Sequence, residues 1–225
     1  MAKQALAQYG IIVGSHILQI NDIKEERFNP MGVSDAELAE LHTKKFAVMD
    51  DAVGEKMQER ILQAKSELNS VGGVIEAIAL HLPAGIGAPY FDSVESMLSH
   101  ALFSVPAVKG VEFGDGFGFA RLTGAEANDA LHYVDGKVKA LTNHNGGVTG
   151  GITNGMPFVV RVAIKPTPSI AREQQTVSLK EQADTTLAIV GRHDPCIVQR
   201  AVPVIEAVVA WALWDLLLEA KKWEK

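Results

Sequence analysis

The stretch GRHDPC, residues 191–196, sets an arginine, a histidine, an aspartate and the chain's only cysteine side by side. Those residue types admit three chemistries. A thiolate beside an imidazole is a nucleophile pair. Histidine, aspartate and cysteine are metal ligands. An aspartate followed by proline ahead of an apolar run marks a helix start, where unpaired N–H groups and the dipole favour an anion. Spacing disfavours the first two: Cys196 falls inside the expected first helical turn with apolar followers, and His193 has no second histidine at i+3 or i+4. The third divides again. Asp194 either caps the helix and does nothing more, or shares its corner with a bound anion for which Arg192 supplies a permanent charge and a planar fork of donors.

Two other stretches carry residue types that line pockets. NHNGGVTGGITNG has glycine at 146, 147, 150, 151 and 155 among three asparagines. It reads as mobile turns or as bare amides laid against a phosphate or a flat cofactor, and it fits neither G-x-G-x-x-G nor G-x-x-x-x-G-K-[ST]. IKPTPSI joins Lys165 to Thr167 and Ser169 through Pro166 and Pro168. Its alternate prolines hold an extended backbone that serves equally as a pocket wall or as an exposed exit from an edge strand.

The elements that position these stretches follow from periodicity. AKQALAQYG reads as the last turns of a helix ending at a left-handed glycine, and IIVGSHILQI as a strand. SDAELAELH and DAVGEKMQERILQAKSELNSVGG have helical spacing, the second closed by Gly72 and Gly73, and VIEAIALHLP alternates as a strand. ESMLSHALF is a helix stopped by Pro106. VEFGDGFGFARLTG alternates but is rich in glycine, PFVVRVAIKP is a strongly apolar strand, and QTVSLK is strand-like. Asp194 is expected at the N-cap of the terminal helix, with Pro195 at its first position. The apolar run 204–218, interrupted by Glu206 and Asp215, is shorter than the ~20 residues that span a bilayer and reads as a core helix. No repeat, low-complexity tract or linker divides the 225 residues.

Composition bounds the rest. With 47% hydrophobic and 21% charged residues the chain has a globular balance. A net charge of -6 and no lysine–arginine block argue against a nucleic-acid surface. A single cysteine excludes an internal disulfide framework and suits a reducing compartment such as the cytoplasm, and no signal peptide is expected.

VKGVEFGDGF (108–117), GGITNGMPFVVRVAIKPTPS (150–169), RHDPCIVQRAVPVIEAVVA (192–210) and, upstream, NSVGGVIE (69–76) together resemble successive blocks of the chorismate synthases, in order and spacing. The resemblance spans practically the whole chain as one domain. It implies an α+β fold in which helices lie between or around β-sheets, and a homotetramer. It implies the conversion of 5-enolpyruvylshikimate 3-phosphate to chorismate by 1,4-elimination of phosphate and a ring hydrogen, which requires reduced FMN and causes no net redox change. That activity belongs to the shikimate pathway of aromatic amino acid biosynthesis in the cytoplasm, with NADP alongside the flavin, and involves no nucleic acid or membrane. By matching positions, Pro106, Ala107, Gly150, Lys165, Pro166, Thr167, Pro168, Ser169 and Arg192 are flavin contacts, and Asp194 and Arg192 are catalytic. No metal is implied. Pro106 stands where many relatives have asparagine, so only backbone contact is expected there; Ser169 replaces a frequent threonine and keeps the hydroxyl.

Several family blocks are not found: the Gly-Glu-Ser-His-Gly opening, the arginine-rich substrate loops, a histidine-bearing stretch and the Ser-Ser-Ala-Arg segment. The chain therefore reads as roughly the C-terminal two-thirds of a family member, with little or no activity expected by itself. The alternative is a non-catalytic module that binds flavin or assembles oligomers.

Overall fold

The structure, a computed structural model, describes residues 1–221, apart from the side chain of Lys137. Its centre is a five-stranded antiparallel sheet in the order β2-β1-β3-β9-β4. The strands are β1 (Ile12–Ile20), β2 (Ile23–Lys24), β3 (Gly73–Leu80), β4 (Val108–Phe113) and β9 (Phe158–Ile164). Alternation decides which residue faces which layer. Val13, Ile17, Ile75, Ala77, Phe158, Val160 and Val162 point to one face and join the main core. That face is covered by α5 (Val198–Lys221), flanked by α1 (Ala2–Ala7) and α4 (Val94–Phe103). Fully buried side chains such as Phe158 and Ile75 stabilise this layer by about 1.5–3 kcal/mol each. Against the opposite face Phe28, Leu38, Leu41, Ile78, Leu80 and Val159 form a smaller cluster, with Leu38 and Leu41 coming from α2 (Asp35–Thr43). This is the expected α+β arrangement, with the helices gathered mainly on one side of the sheet.

Local signals account for most boundaries. Ser34 caps α2 in a full capping box with Glu37. Asp50 caps α3 (Asp51–Ser66) by accepting from the amides of Ala52 and Val53. The C-terminus of α3 corrects the expectation: Gly72 and Gly73 do not close it. The helix ends at Ser66, and Leu68 takes the left-handed conformation at φ 56. Gly73 instead opens β3, where an added Cβ would collide with the carbonyl of Gln19 on the neighbouring strand.

The terminal helix corrects two further expectations. It begins at Val198, and the Ile197 carbonyl accepts from the Ala201 amide, so Asp194 is not its N-cap, Pro195 is not its first residue and Cys196 lies ahead of its first turn. The cause is long-range: the Val71 amide donates to the Pro195 carbonyl at 2.8 Å, which holds that segment extended past α3. At 24 residues α5 is also longer than the apolar run, and by length and composition it is long and apolar enough to cross a membrane; half of its most apolar window is buried in this fold. Glu206, read as an interruption, is itself buried and accepts from Ser15, Lys3 and His42.

Three small hairpins complete the chain: β5 (Leu131–Val134) with β6 (Lys137–Ala140), β7 (Val148–Thr149) with β8 (Ile152–Thr153), and β10 (Gln174–Ser178) with β11 (Ala183–Leu187).

Candidate functional site

The segments singled out from sequence meet, with one exception, at the end of the sheet where β9 leaves and β4 enters. Ala107 ends the turn after α4, at φ 76, and its carbonyl accepts from the Lys165 amide at 2.9 Å. The chain then runs through Pro166, Thr167, Pro168 and Ser169, and Ser70 donates its hydroxyl hydrogen to the Thr167 carbonyl at 2.6 Å. One residue on, Val71 makes its bond to Pro195, beside Asp194. Thus 106–107, 165–169 and 194–195 are linked through backbone carbonyls and the 69–71 segment.

The side chains at this corner differ in their commitments. Lys165 and Arg192 are exposed and have no side-chain partner among the described residues. Asp194 is half-buried and pairs with Arg200 Nη1 at 2.7 Å, so its carboxylate is engaged by a side chain of α5 rather than by the helix amides. Cys196 is partly buried; burial pushes its thiol up, and the amides of Val198 and Gln199 offset this only in part. A thiol raised in that way is a poor nucleophile at neutral pH. His193 is tied to the Ile189 carbonyl at 2.8 Å. Among the described residues no group of three or more histidine, cysteine, aspartate or glutamate side chains is placed to hold a metal.

One atom is left over. Thr167 Oγ1 is buried and has no hydrogen-bond partner. A hydroxyl withdrawn from water without a partner costs about 1–3 kcal/mol, so the corner carries an unmet demand for a polar group. A hydrogen-bonding ligand that opened the corner to this hydroxyl would meet that demand, and Lys165 and Arg192 are exposed cations on the same two segments. A hydroxyl, a lysine and an arginine are donors of the kind that an anionic cofactor such as a flavin mononucleotide requires.

Gly150 is the exception. It lies at the tip of the β7–β8 turn at φ 62, with open space where a Cβ would stand. The next residue, Gly151, accepts from the Val94 amide at the start of α4, whereas Ala107 follows the end of that helix. Ten helical residues separate the two ends, about 15 Å. Within one chain, Gly150 does not touch the corner formed by Ala107 and Lys165.

The NHNGG loop is tied down by hydrogen bonds at its two asparagines. Asn143 is buried, its amide donates to the carbonyls of Pro30 and Pro157 at 2.7 and 2.8 Å, and its oxygen accepts from the Gly147 amide at 2.7 Å. Asp129 accepts from the amides of His144 and Asn145 and from the side chains of Thr142 and Asn145. Burial would raise that carboxyl, and these donors outweigh it and hold it below the usual range.

Sequence reading missed a row of charge across the opposite face of the sheet. His16, Glu76, Arg161 and Glu112 sit in register on β1, β3, β9 and β4. Glu76 accepts from His16 Nε2 at 3.1 Å, the Phe28 amide at 2.6 Å and Arg161 Nη1 at 2.9 Å. Arg161 also donates to Glu112 and to the Gly114 carbonyl, and His16 Nδ1 meets Glu25. Burial alone would lower the His16 pKa, but Glu25 and Glu76 outweigh it and the net shift is upward. For Glu76 burial likewise opposes ionisation, and His16, Phe28 and Arg161 prevail, leaving its pKa lowered. A cavity of about 1170 Å³ lies on the same side, between the β5–β6 hairpin and Leu80, Met156 and Pro157.

Comparison with known proteins points one way. A family model described as chorismate synthase matches residues 1–218. The chorismate synthase of Thermococcus gammatolerans is 45% identical over 223 residues, 99% of this chain and 61% of that protein. That of Dehalococcoides mccartyi is 50% identical over 171 residues, 76% of this chain and 47% of that protein. A solved structure titled "Crystal Structure of Chorismate Synthase" superposes with a TM-score of 0.78 at 30% identity, covering 97% of this chain and 60% of that one. The chain thus spans less than two thirds of the length of these relatives.

Proposed function

The chain belongs to the chorismate synthase family, and from that premise we propose that it supplies the flavin-facing wall of a site that eliminates phosphate from 5-enolpyruvylshikimate 3-phosphate to give chorismate, in a homotetramer. The reading is carried by the corner at which Ala107, Lys165, Thr167 and Pro195 are linked, with the Thr167 hydroxyl buried and unpaired.

In this reading Thr167, with Ser169 beside it, hydrogen-bonds the flavin. The backbone of Pro106 and Ala107, together with Pro166 and Pro168, forms a stiff surface that keeps water from one side of it. Gly150 joins the set by resemblance alone, and with the separation described above it contacts a flavin at this corner only from a neighbouring copy. Lys165 and Arg192 are fixed cations where negative charge gathers on the leaving phosphate, and pre-placed charges lower a barrier because they need no reorganisation during the reaction. Reduced FMN, when bound, supplies electron density that is recovered by the end, in keeping with no net redox change. Asp194, paired with Arg200, takes its role by resemblance: its carboxylate accepts or returns a proton once that pair opens.

The test is an anaerobic titration with reduced FMN followed by a phosphate-release assay with the substrate. Binding of FMN is expected, with little or no phosphate release by the chain alone, since the arginine-rich and histidine-bearing blocks of the family are not among its residues. No FMN binding refutes the flavin reading; release at the rate of a relative in the same assay refutes the expectation of inactivity.

A further inference from the structure

The 69–71 segment belongs to none of the proposed contacts, yet it is attached to two of them. It leaves α3 through Leu68, whose left-handed backbone turns the chain sharply at φ 56, and the Leu68 carbonyl accepts from the Arg172 amide at 3.1 Å, just beyond the 165–169 wall. Asn69 Oδ1 accepts from the Ser70 amide at 2.9 Å and fixes the turn. Ser70, 9% exposed, then donates to the Thr167 carbonyl at 2.6 Å, and Val71 donates to Pro195 at 2.8 Å. Bonds at Leu68 and Ser70 hold the wall and its exit, and the bond at Val71 holds the segment that carries Asp194, so this short stretch ties the two together. Two of the three bonds run between backbone atoms and do not depend on the side chain at position 70; the Ser70 hydroxyl bond does.

We propose that Ser70 is a positioning residue of the flavin site: its hydroxyl, through the Thr167 carbonyl, sets the height and orientation of the Thr167 side chain relative to Lys165 and to the Asp194 segment. The inference rests on the flavin reading above. Thr167 lies between two prolines that fix its neighbours' φ angles, so the freedom left to it is rotation of its own peptide units. The bond to Ser70 removes that freedom on the carbonyl side. Without it the buried hydroxyl is free to swing away from the group it must meet, and a misplacement of this kind weakens binding steeply.

The experiment is a titration of FMN, followed by its absorbance and fluorescence, against the unaltered chain, Ser70→Ala and Ser70→Thr, with thermal melts of all three. The expected result is about tenfold weaker binding by Ser70→Ala, with a fall in Tm of no more than about 4 °C, and recovery in Ser70→Thr, which keeps the hydroxyl. Equal affinity of the unaltered chain and Ser70→Ala overturns the inference and leaves the flavin reading standing. A loss that Ser70→Thr does not restore makes Ser70 a purely structural residue and also overturns it. Failure of the unaltered chain to bind FMN overturns the flavin reading and the inference with it. Should Ser70→Ala not fold, amide exchange on the unaltered chain decides: FMN is expected to slow exchange at Thr167 and Val71 together, and protection of Thr167 without Val71 overturns the inference.

Discussion

Replacing Glu76 by glutamine removes one charge from the middle of the row on β1, β3, β9 and β4 without changing the side chain's shape. Three donors converge on that carboxylate: His16 and the Phe28 amide on one oxygen, Arg161 on the other. A glutamine has a single acceptor oxygen, so whichever way it is turned its NH2 group faces a donor. The site is fully buried, so water cannot repair the mismatch. Removing one partner of a buried ion pair costs about 3–5 kcal/mol. Arg161 keeps Glu112 and the Gly114 carbonyl, and His16 keeps Glu25, which places the expected loss near the lower end, about 3 kcal/mol. For a chain of this length that corresponds to a fall in Tm of about 6–12 °C. Urea denaturation at neutral pH, read by circular dichroism and tryptophan fluorescence, measures it. A loss below about 1 kcal/mol, the value of an exposed pair, would refute the argument that Glu76 is buried and that His16 and Arg161 depend on it.

Three other outcomes follow from named contacts. The His16 pKa is raised, so its contribution is complete below the unfolded value near 6.5 and is lost as pH rises through the folded value, while that of Glu76, whose pKa is lowered, is complete above about 4.5 and fades as pH falls through its folded value; a pH series of denaturation midpoints should show both slopes, and His16→Gln should flatten the alkaline one. Asn143→Ala leaves two carbonyls and an amide without partners in a buried loop and should cost about 3 kcal/mol by urea titration; a loss under about 0.5 kcal/mol returns the loop to the class of mobile turns. Arg192→Ala, at an exposed side chain with no partner, should change stability by less than about 0.5 kcal/mol yet weaken FMN binding, and an unchanged affinity removes Arg192 from the site.

How much of this was legible in the sequence depends on the distance over which each feature is decided. β1, β3 and β9 were visible because their apolar residues alternate or run together, and α2 and α4 because Ser34 and Pro106 mark their ends locally. His16 and Glu76 each stand alone among apolar residues in their strands, and only the register of four strands from distant parts of the chain joins them to Arg161 and Glu112. Asp194 was misread for the same reason. Asp-Pro before an apolar run is a sound local signal, but the bond from Val71 to Pro195 draws the segment out and delays the helix to Val198. The β5–β6 and β10–β11 hairpins are short and largely exposed, and they carry little hydrophobic pattern to read. The candidate site was legible as three separate stretches, and the 69–71 strap that joins them was not, because serine and asparagine before paired glycines signal a turn whatever they touch.

The central claim is that an isoalloxazine sits against the corner built by Ala107, Lys165, Thr167 and Pro195, with Arg192 three residues ahead of Pro195. The most direct measurement is a two-dimensional NMR titration of the isotope-labelled chain with reduced FMN under anaerobic conditions. The account predicts the largest shifts at the amides of Ala107, Lys165, Thr167 and Arg192, with the Thr167 hydroxyl proton appearing as a protected resonance. Shifts centred instead on the cavity under the β5–β6 hairpin, or no shifts at all, would contradict it.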